Sequence, residues 1–175
     1  MSPKWNGAFV AVVHVTIVLS LGAKLMADRA TRPRVWVRAA PVDPALPIRG
    51  RYVSLRIEAD ADTTFASSFV RESDRRASVL QPTAVTLSVR NDRLVATPSP
   101  STSPVHASSV ERAGERVALL VEPLSYFIDE HASDPSRRPA GEELWVEVTI
   151  PRRGLPRPIR LGVKKAGVLT PLELN

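Results

Sequence analysis

One apolar run constrains this chain more than any other feature. From Trp5 to Met26 the sequence passes through Ala8-Phe-Val-Ala-Val-Val-His-Val-Thr-Ile-Val-Leu-Ser-Leu-Gly-Ala23, with Lys4 ahead of it and Lys24 near its end. A helix of this length covers roughly 33 Å at about 1.5 Å per residue, enough to cross a bilayer core. A helix buried in a soluble domain would carry a polar stripe, and the only polar interior residues here are His14, Thr16 and Ser20. A cleaved signal peptide needs small residues at its cleavage site. Leu21-Gly22-Ala23 and Leu25-Met26-Ala27 both put leucine where a small residue is preferred. The run therefore reads as an uncleaved membrane anchor over residues 1–27, and residues 5–26 make the lipid bilayer the first expected partner.

The interior polar residues suit that reading. Thr16 and Ser20 can donate back to carbonyls one turn earlier, Lys24 can snorkel to the headgroups, and Trp5 suits the interface. His14 is the exception, because an ionisable group at mid-span is a candidate for function or helix pairing. The simpler account is a neutral imidazole, bonded to a neighbouring helix or tolerated alone. Orientation draws on two opposed rules. Lys24, Arg29, Arg32, Arg34 and Arg38 follow the span, which by the positive-inside rule keeps the rest of the chain in the cytoplasm. A short N-terminal tail before a single span is the layout of a signal-anchor protein, and long domains cross largely regardless of charge. The second argument is preferred, giving a single-pass protein of the cytoplasmic (inner) membrane with an extracytoplasmic domain.

Residues 28–175 suffice for a single domain with a real core. The chain has no cysteine, which excludes a disulfide framework, a thiolate nucleophile and a Cys-based metal site. The formal charge is +6 and the pI about 10.5, carried by 20 arginines and 4 lysines. They are scattered as the pairs Arg75-Arg76, Arg137-Arg138, Arg152-Arg153 and Lys164-Lys165, and aromatics make up 5%. A nucleic-acid module needs clustered charge interleaved with stacking aromatics, so no nucleic-acid partner is expected.

The residues after the anchor alternate with the period of half-buried strands. Strands are expected at 34–38, 51–58, 84–90, 93–97, 116–122 and 144–150, with a final hairpin over 158–164 and 168–174. Asn91-Asp92 supplies a tight turn, since both residues tolerate left-handed backbone, and the final hairpin turns through Lys165-Ala166-Gly167, with Gly167 able to take positive φ. The run 116–122 is the most hydrophobic and is expected to be central. Phe65, Phe69 and Val70 suggest one short helix. The Ser/Pro-rich stretch at about 97–109 predicts a mobile loop that cannot form a ladder. The fold class expected is all-β, mainly antiparallel, an open barrel or small sandwich preceded by one N-terminal transmembrane helix.

The search for chemistry leaves little. No G-x-S-x-G elbow is present, and the few lysines lack a serine partner for a Ser–Lys pair. Asp129, Glu130, His131 and Asp134 are the one candidate metal cluster, but adjacent side chains in an extended chain point apart, so a polar loop is the better account. His106 falls in the Ser/Pro stretch and reads as solvated. No catalytic residue, metal or cofactor is expected.

Two blocks carry a family resemblance. Pro41-Val-Asp-Pro-Ala-Leu-Pro-Ile-Arg-Gly50-Arg-Tyr-Val-Ser-Leu-Arg-Ile57 resembles the signature of the GDYXXLXY protein family, a Pro-Val-Asp-Pro turn and then Gly-Asp-Tyr-x-x-Leu-x-Tyr. Asp43, Gly50, Tyr52 and Leu55 match, while Arg51 replaces the acidic residue and Ile57 the final tyrosine. Leu124-Ser-Tyr-Phe-Ile-Asp-Glu130 is similar to the family's Tyr-Phe-x-x-Glu stretch through Tyr126, Phe127 and Glu130. The resemblance implies a small bacterial protein with an N-terminal membrane segment, beside a larger multispanning membrane protein as possible partner. The matched residues read first as structural: Gly50 for a close turn, Tyr52 for packing and a hydroxyl bond, Leu55 for the opposite face of the strand. A small groove for a peptide or partner is the alternative use of these residues. The function expected is a non-catalytic accessory or binding module of the cell envelope. The alternative is a membrane-tethered hydrolase with a site near Asp129, Glu130 and His131.

Overall fold

The computed structural model describes residues 3–42, 52–65, 82–100, 102–129, 131–132, 134–135 and 137–173. In chain order the elements are α1 (Pro3–Thr31), β1 (Arg34–Val42), β2 (Tyr52–Ala61), β3 (Thr83–Arg90), β4 (Arg93–Pro98), β5 (His106–Arg112), β6 (Glu115–Leu120), β7 (Leu124–Phe127), β8 (Glu142–Thr149), β9 (Arg157–Lys165) and β10 (Val168–Pro171). The protein is mostly antiparallel β-sheet with one N-terminal apolar helix. It divides into two units, Met1–Arg32 and Pro33–Asn175.

In the first unit, residues Gly7–Ala27 form a helix long and apolar enough to cross a membrane, with a mean hydropathy of 2.0. Its polar side chains turn inward on their own backbone. Thr16 Oγ1 donates to the Val12 carbonyl at 2.8 Å and Ser20 Oγ to the Ile17 carbonyl at 2.8 Å. His14 Nδ1 lies 2.9 Å from the Val10 carbonyl; a carbonyl only accepts, so Nδ1 carries the proton. Thr31 Oγ1 donates to the Ala27 carbonyl at 2.7 Å. The helix ends just ahead of Pro33, whose ring disfavours helical backbone at Arg32.

In the second unit β2 is the hub. Its first half pairs antiparallel with β1 on one edge and β7 on the other. Its second half pairs parallel with β4 and antiparallel with β6. The pairings β2–β4–β3–β5–β6–β2 close on themselves, and β1 carries the sheet outward through β8 and β9 to β10. Along β2 the buried residues Val53, Leu55, Ile57 and Ala59 alternate with Tyr52, Arg56, Glu58 and Asp60 on the other face. The aliphatic face meets Val35, Val37, Val85, Leu120, Val146, Val148 and Leu161 in one core.

Turn chemistry sets three hairpin registers. Asn91-Asp92, Ala113-Gly114 and Ala166-Gly167 all take positive φ, between 48° and 85°. Each joins strands whose last paired residues flank a two-residue loop, the geometry that matches strand twist.

The structure departs from expectation at four places. Strand β5 begins at His106, so the Ser/Pro connection ends there, and it is fastened to its neighbours. Ser99 N donates to the Ala84 carbonyl at 2.9 Å, Val85 N to the Val105 carbonyl at 2.8 Å, and Ser103 Oγ to the Val85 carbonyl at 2.7 Å. His106 is half-buried and paired, not free in solvent; its Nδ1 lies 3.0 Å from Glu122 Oε1 and its backbone N donates to Glu122 Oε2 at 3.2 Å. β6 alternates exposed and buried residues instead of being buried on both faces, because it belongs to a closed ring with an outer side. Leu124–Phe127 is a strand that its short length hides in the sequence. Of the helix suggested over Phe65, Phe69 and Val70, residues 63–65 are helical and Phe65 is fully buried; the rest lies outside the described residues.

Candidate functional site

The two family-like blocks lie side by side. Tyr52 stands opposite Phe127, Val53 opposite Tyr126 and Leu55 opposite Leu124. The faces then separate their roles. Leu55 is wholly buried in the core, and Tyr126 packs against it. Tyr52 and Phe127 meet on the outer face, ring centroids 6.3 Å apart and tilted by 56°, within the usual range for aromatic pairs. Phe127 is 76% exposed. Asp43, Gly50 and Glu130 lie outside the described residues. Asp129 and His131 form a local turn: Asp129 Oδ1 accepts from His131 N at 2.8 Å and lies 3.2 Å from His131 Nδ1, with both side chains open to solvent. Among the described residues no three histidine or acidic side chains converge in a way that could hold a metal.

A more organised site lies elsewhere, on the outer face of β1, β8 and β9. In β1 the apolar Val35, Val37 and Ala39 point into the core, which leaves Trp36 and Arg38 on the far side. In β8, Leu144, Val146 and Val148 point in, and Glu143, Trp145 and Glu147 share the face of Trp36. β9 adds Arg160, Gly162 and Lys164, opposite Glu147, Trp145 and Glu143 respectively. Charge and ring alternate across the three strands. Arg160 Nε bonds Glu147 Oε2 at 2.6 Å and holds its guanidinium 5.3 Å from the Trp36 ring centroid. Arg38 pairs with Glu143 at 3.1 Å, the Trp145 indole N–H donates to Glu143 at 3.2 Å, and Lys164 Nζ sits 4.5 Å from the Trp145 ring centroid.

Gly162 lets Trp36 lie where it does. A β-carbon there would stand 2.8 Å from Trp36 Cζ3 and 3.0 Å from Cη2. The glycine is thus required by the indole that reaches across β8, and its backbone is ordinary.

This face forms one wall of a cleft of about 510 Å³, a size common for small-ligand sites. The facing wall comes from β2 and from the β3–β4 and β5–β6 turns. Its arginines are also paired: Arg93 grips Asp60 through two bonds of 2.7 and 2.9 Å, and Arg112 holds Glu58 at 2.7 Å. Glu58 and Glu147 keep side chains only 8% and 10% exposed, so their arginine partners offset the cost of burying charge. The lining among the described residues includes neither serine, threonine nor histidine. It offers fixed hydrogen-bonding groups beside two indoles.

Sequence reasoning passed over this cleft. The signal was present: Arg34-Val-Trp-Val-Arg38 and Leu144-Trp-Val-Glu-Val each place a tryptophan on the polar phase of a strand.

Against known proteins, no curated protein and no solved structure matches the chain. A family model does, described as GDYXXLXY protein, and it spans residues 15–161. That span takes in the second half of the apolar helix, both motif blocks, the cleft strands β1 and β8 and the first part of β9, and the chain belongs to the GDYXXLXY protein family.

Proposed function

We propose that this protein is a non-catalytic accessory or binding module of the bacterial cell envelope. It is held in the inner membrane by residues 5–26, with its β domain on the extracytoplasmic side. The observation that carries the reading is the tryptophan cleft. Its cations are already engaged, Arg38 with Glu143, Arg93 with Asp60, Arg112 with Glu58 and Lys164 with the Trp145 ring. Such a set holds its geometry before a ligand arrives, which lowers the cost of binding. It leaves no activated nucleophile to attack one.

The orientation rests on the signal-anchor layout, a short N-terminal tail before a single span, since long domains cross largely regardless of charge. A larger multispanning envelope protein is the partner this reading favours.

The test is site-specific photo-crosslinking of the full-length protein in intact cells. A crosslinker replacing Lys164 should give one discrete adduct with a membrane protein, and one replacing Arg157, outside the cleft, should not. Arg38→Glu together with Trp145→Ala should abolish the adduct. If the two positions give the same adducts, the cleft is not the binding site. If added protease in spheroplasts leaves the β domain intact, the proposed orientation is wrong.

A further inference from the structure

A second groove, of about 490 Å³, has the opposite electrostatics. It is lined by residues 85–87 of β3, by residues 99–100 and 102–105 between β4 and β5, and by residues 150–154 between β8 and β9. Its only charged lining residues among those described are Arg152 and Arg153, with no carboxylate beside them. Arg38, Arg93, Arg112 and Arg160 all hold acidic partners. Arg152 and Arg153 are exposed and bond to nothing that the described residues supply.

The hydroxyls around them are oriented. Thr86 Oγ1 and Ser99 Oγ bond at 2.9 Å; one of the two hydroxyl protons is used between them and the other is left to donate elsewhere. Ser103 spends its proton on the Val85 carbonyl at 2.7 Å and accepts weakly from Val105 N at 3.4 Å. Thr102 adds a second exposed hydroxyl. Pro100, Pro104 and Pro151 stiffen the walls, and Leu87, Val105 and Ile150 give them an apolar base.

We propose that this groove binds a phosphate ester. Two unpaired guanidiniums supply a fork geometry suited to the several oxygens of a tetrahedral anion, and Ser99 and Thr102 can fill the acceptor sites that remain. A carboxylate offers two oxygens where a phosphate monoester offers three, so it would satisfy fewer of the guanidinium N–H donors. The apolar base takes the organic part of the ester. The same chemistry is offered by a lipid headgroup and by a soluble phosphate ester. The proposal rests on the unpaired arginines and the hydroxyl register, and it owes nothing to the tryptophan cleft.

The experiment uses the full-length protein in maltoside micelles, which contain no phosphate. In one arm glycerol 3-phosphate is titrated in; in the other the micelles are doped with phosphatidylglycerol. The amide resonances of Thr86, Thr102 and Gly154 are followed by NMR. A saturable shift in the first arm identifies a soluble ester, and one in the second arm alone identifies a lipid headgroup; either supports the site. R152A/R153A should weaken the affinity at least tenfold. Ser99→Ala, which leaves the charge untouched, should weaken it by about threefold to tenfold, the loss of one hydrogen bond. Arg157→Ala, a cation outside the groove, should leave it unchanged. No saturable shift in either arm would overturn the proposal, as would an Arg157→Ala loss equal to that of R152A/R153A.

Discussion

Gly162 shows how one residue's identity follows from a contact three strands wide. Trp36 belongs to β1 and Gly162 to β9, with β8 between them. The indole crosses that distance because Glu147 and Arg160 hold each other at 2.6 Å while the Arg160 guanidinium lies over the ring. A methyl group at position 162 meets Trp36 carbons at 2.8 and 3.0 Å and the Thr170 carbonyl at 3.1 Å. Gly162→Ala should therefore destabilise the domain by about 1–3 kcal/mol, the usual cost of overpacking, read as a lower urea midpoint. In a Trp36→Ala background two of the three close contacts disappear, and the same substitution should cost less than half as much. Equal costs in the two backgrounds would show that the indole is not what position 162 accommodates. Leu55 and Phe127 teach a related lesson. Both belong to recognisable motifs, yet one is core and the other is surface, and alternation along their strands decides which.

Elements were legible in the sequence where alternation was regular and turns were short. β1, β2, β3, β4, β8 and β9 all carry apolar residues at every second position, and the Asn91-Asp92 turn announces its hairpin. β7 escaped because four residues give too few alternations to count, and it is defined by its partner β2. The Ser/Pro connection misled because its composition suits disorder, while its order comes from β3 carbonyls far away in sequence. The cleft as a whole escaped for the same reason, with only the tryptophans on the polar phase of β1 and β8 to hint at it: its residues come from β1, β2, β4, β6, β8, β9 and the β3–β4 and β5–β6 turns. Turn identity can be tested at the element scale. Asn91 and Asp92 hold φ of 50° and 57°, which asparagine tolerates and a β-branched residue does not. Asn91→Val should cost about 1–2 kcal/mol in thermal unfolding, whereas Ala113→Asn, at φ 49°, should raise stability slightly. If both changes are neutral, these loops do not hold the left-handed turns described.

At the scale of the whole molecule, the apolar helix and the β domain are separate folding problems. The helix satisfies its backbone and its Thr16, Ser20 and His14 side chains internally, as a segment in lipid must. The described core of the β domain runs from Val35 to Leu161. Its closure depends on β2, which alone among the described strands pairs with four others. A chain of residues 33–175 should then fold in the absence of the helix and unfold in one cooperative transition. β2 sets the sharper test. Ala59 stands opposite Ala118 of β6 and is buried in the second half of the β2 ladder. Proline there fixes φ and removes a donor in the middle of a sheet, where it is not tolerated. Ala59→Pro should abolish the cooperative transition of 33–175, while Pro substitution at Thr170, on the exposed terminal strand β10, should lower the midpoint and preserve cooperativity. Circular dichroism with urea reads both. If Ala59→Pro merely shifts the midpoint, the ring of strands through β2 is not the unit that folds.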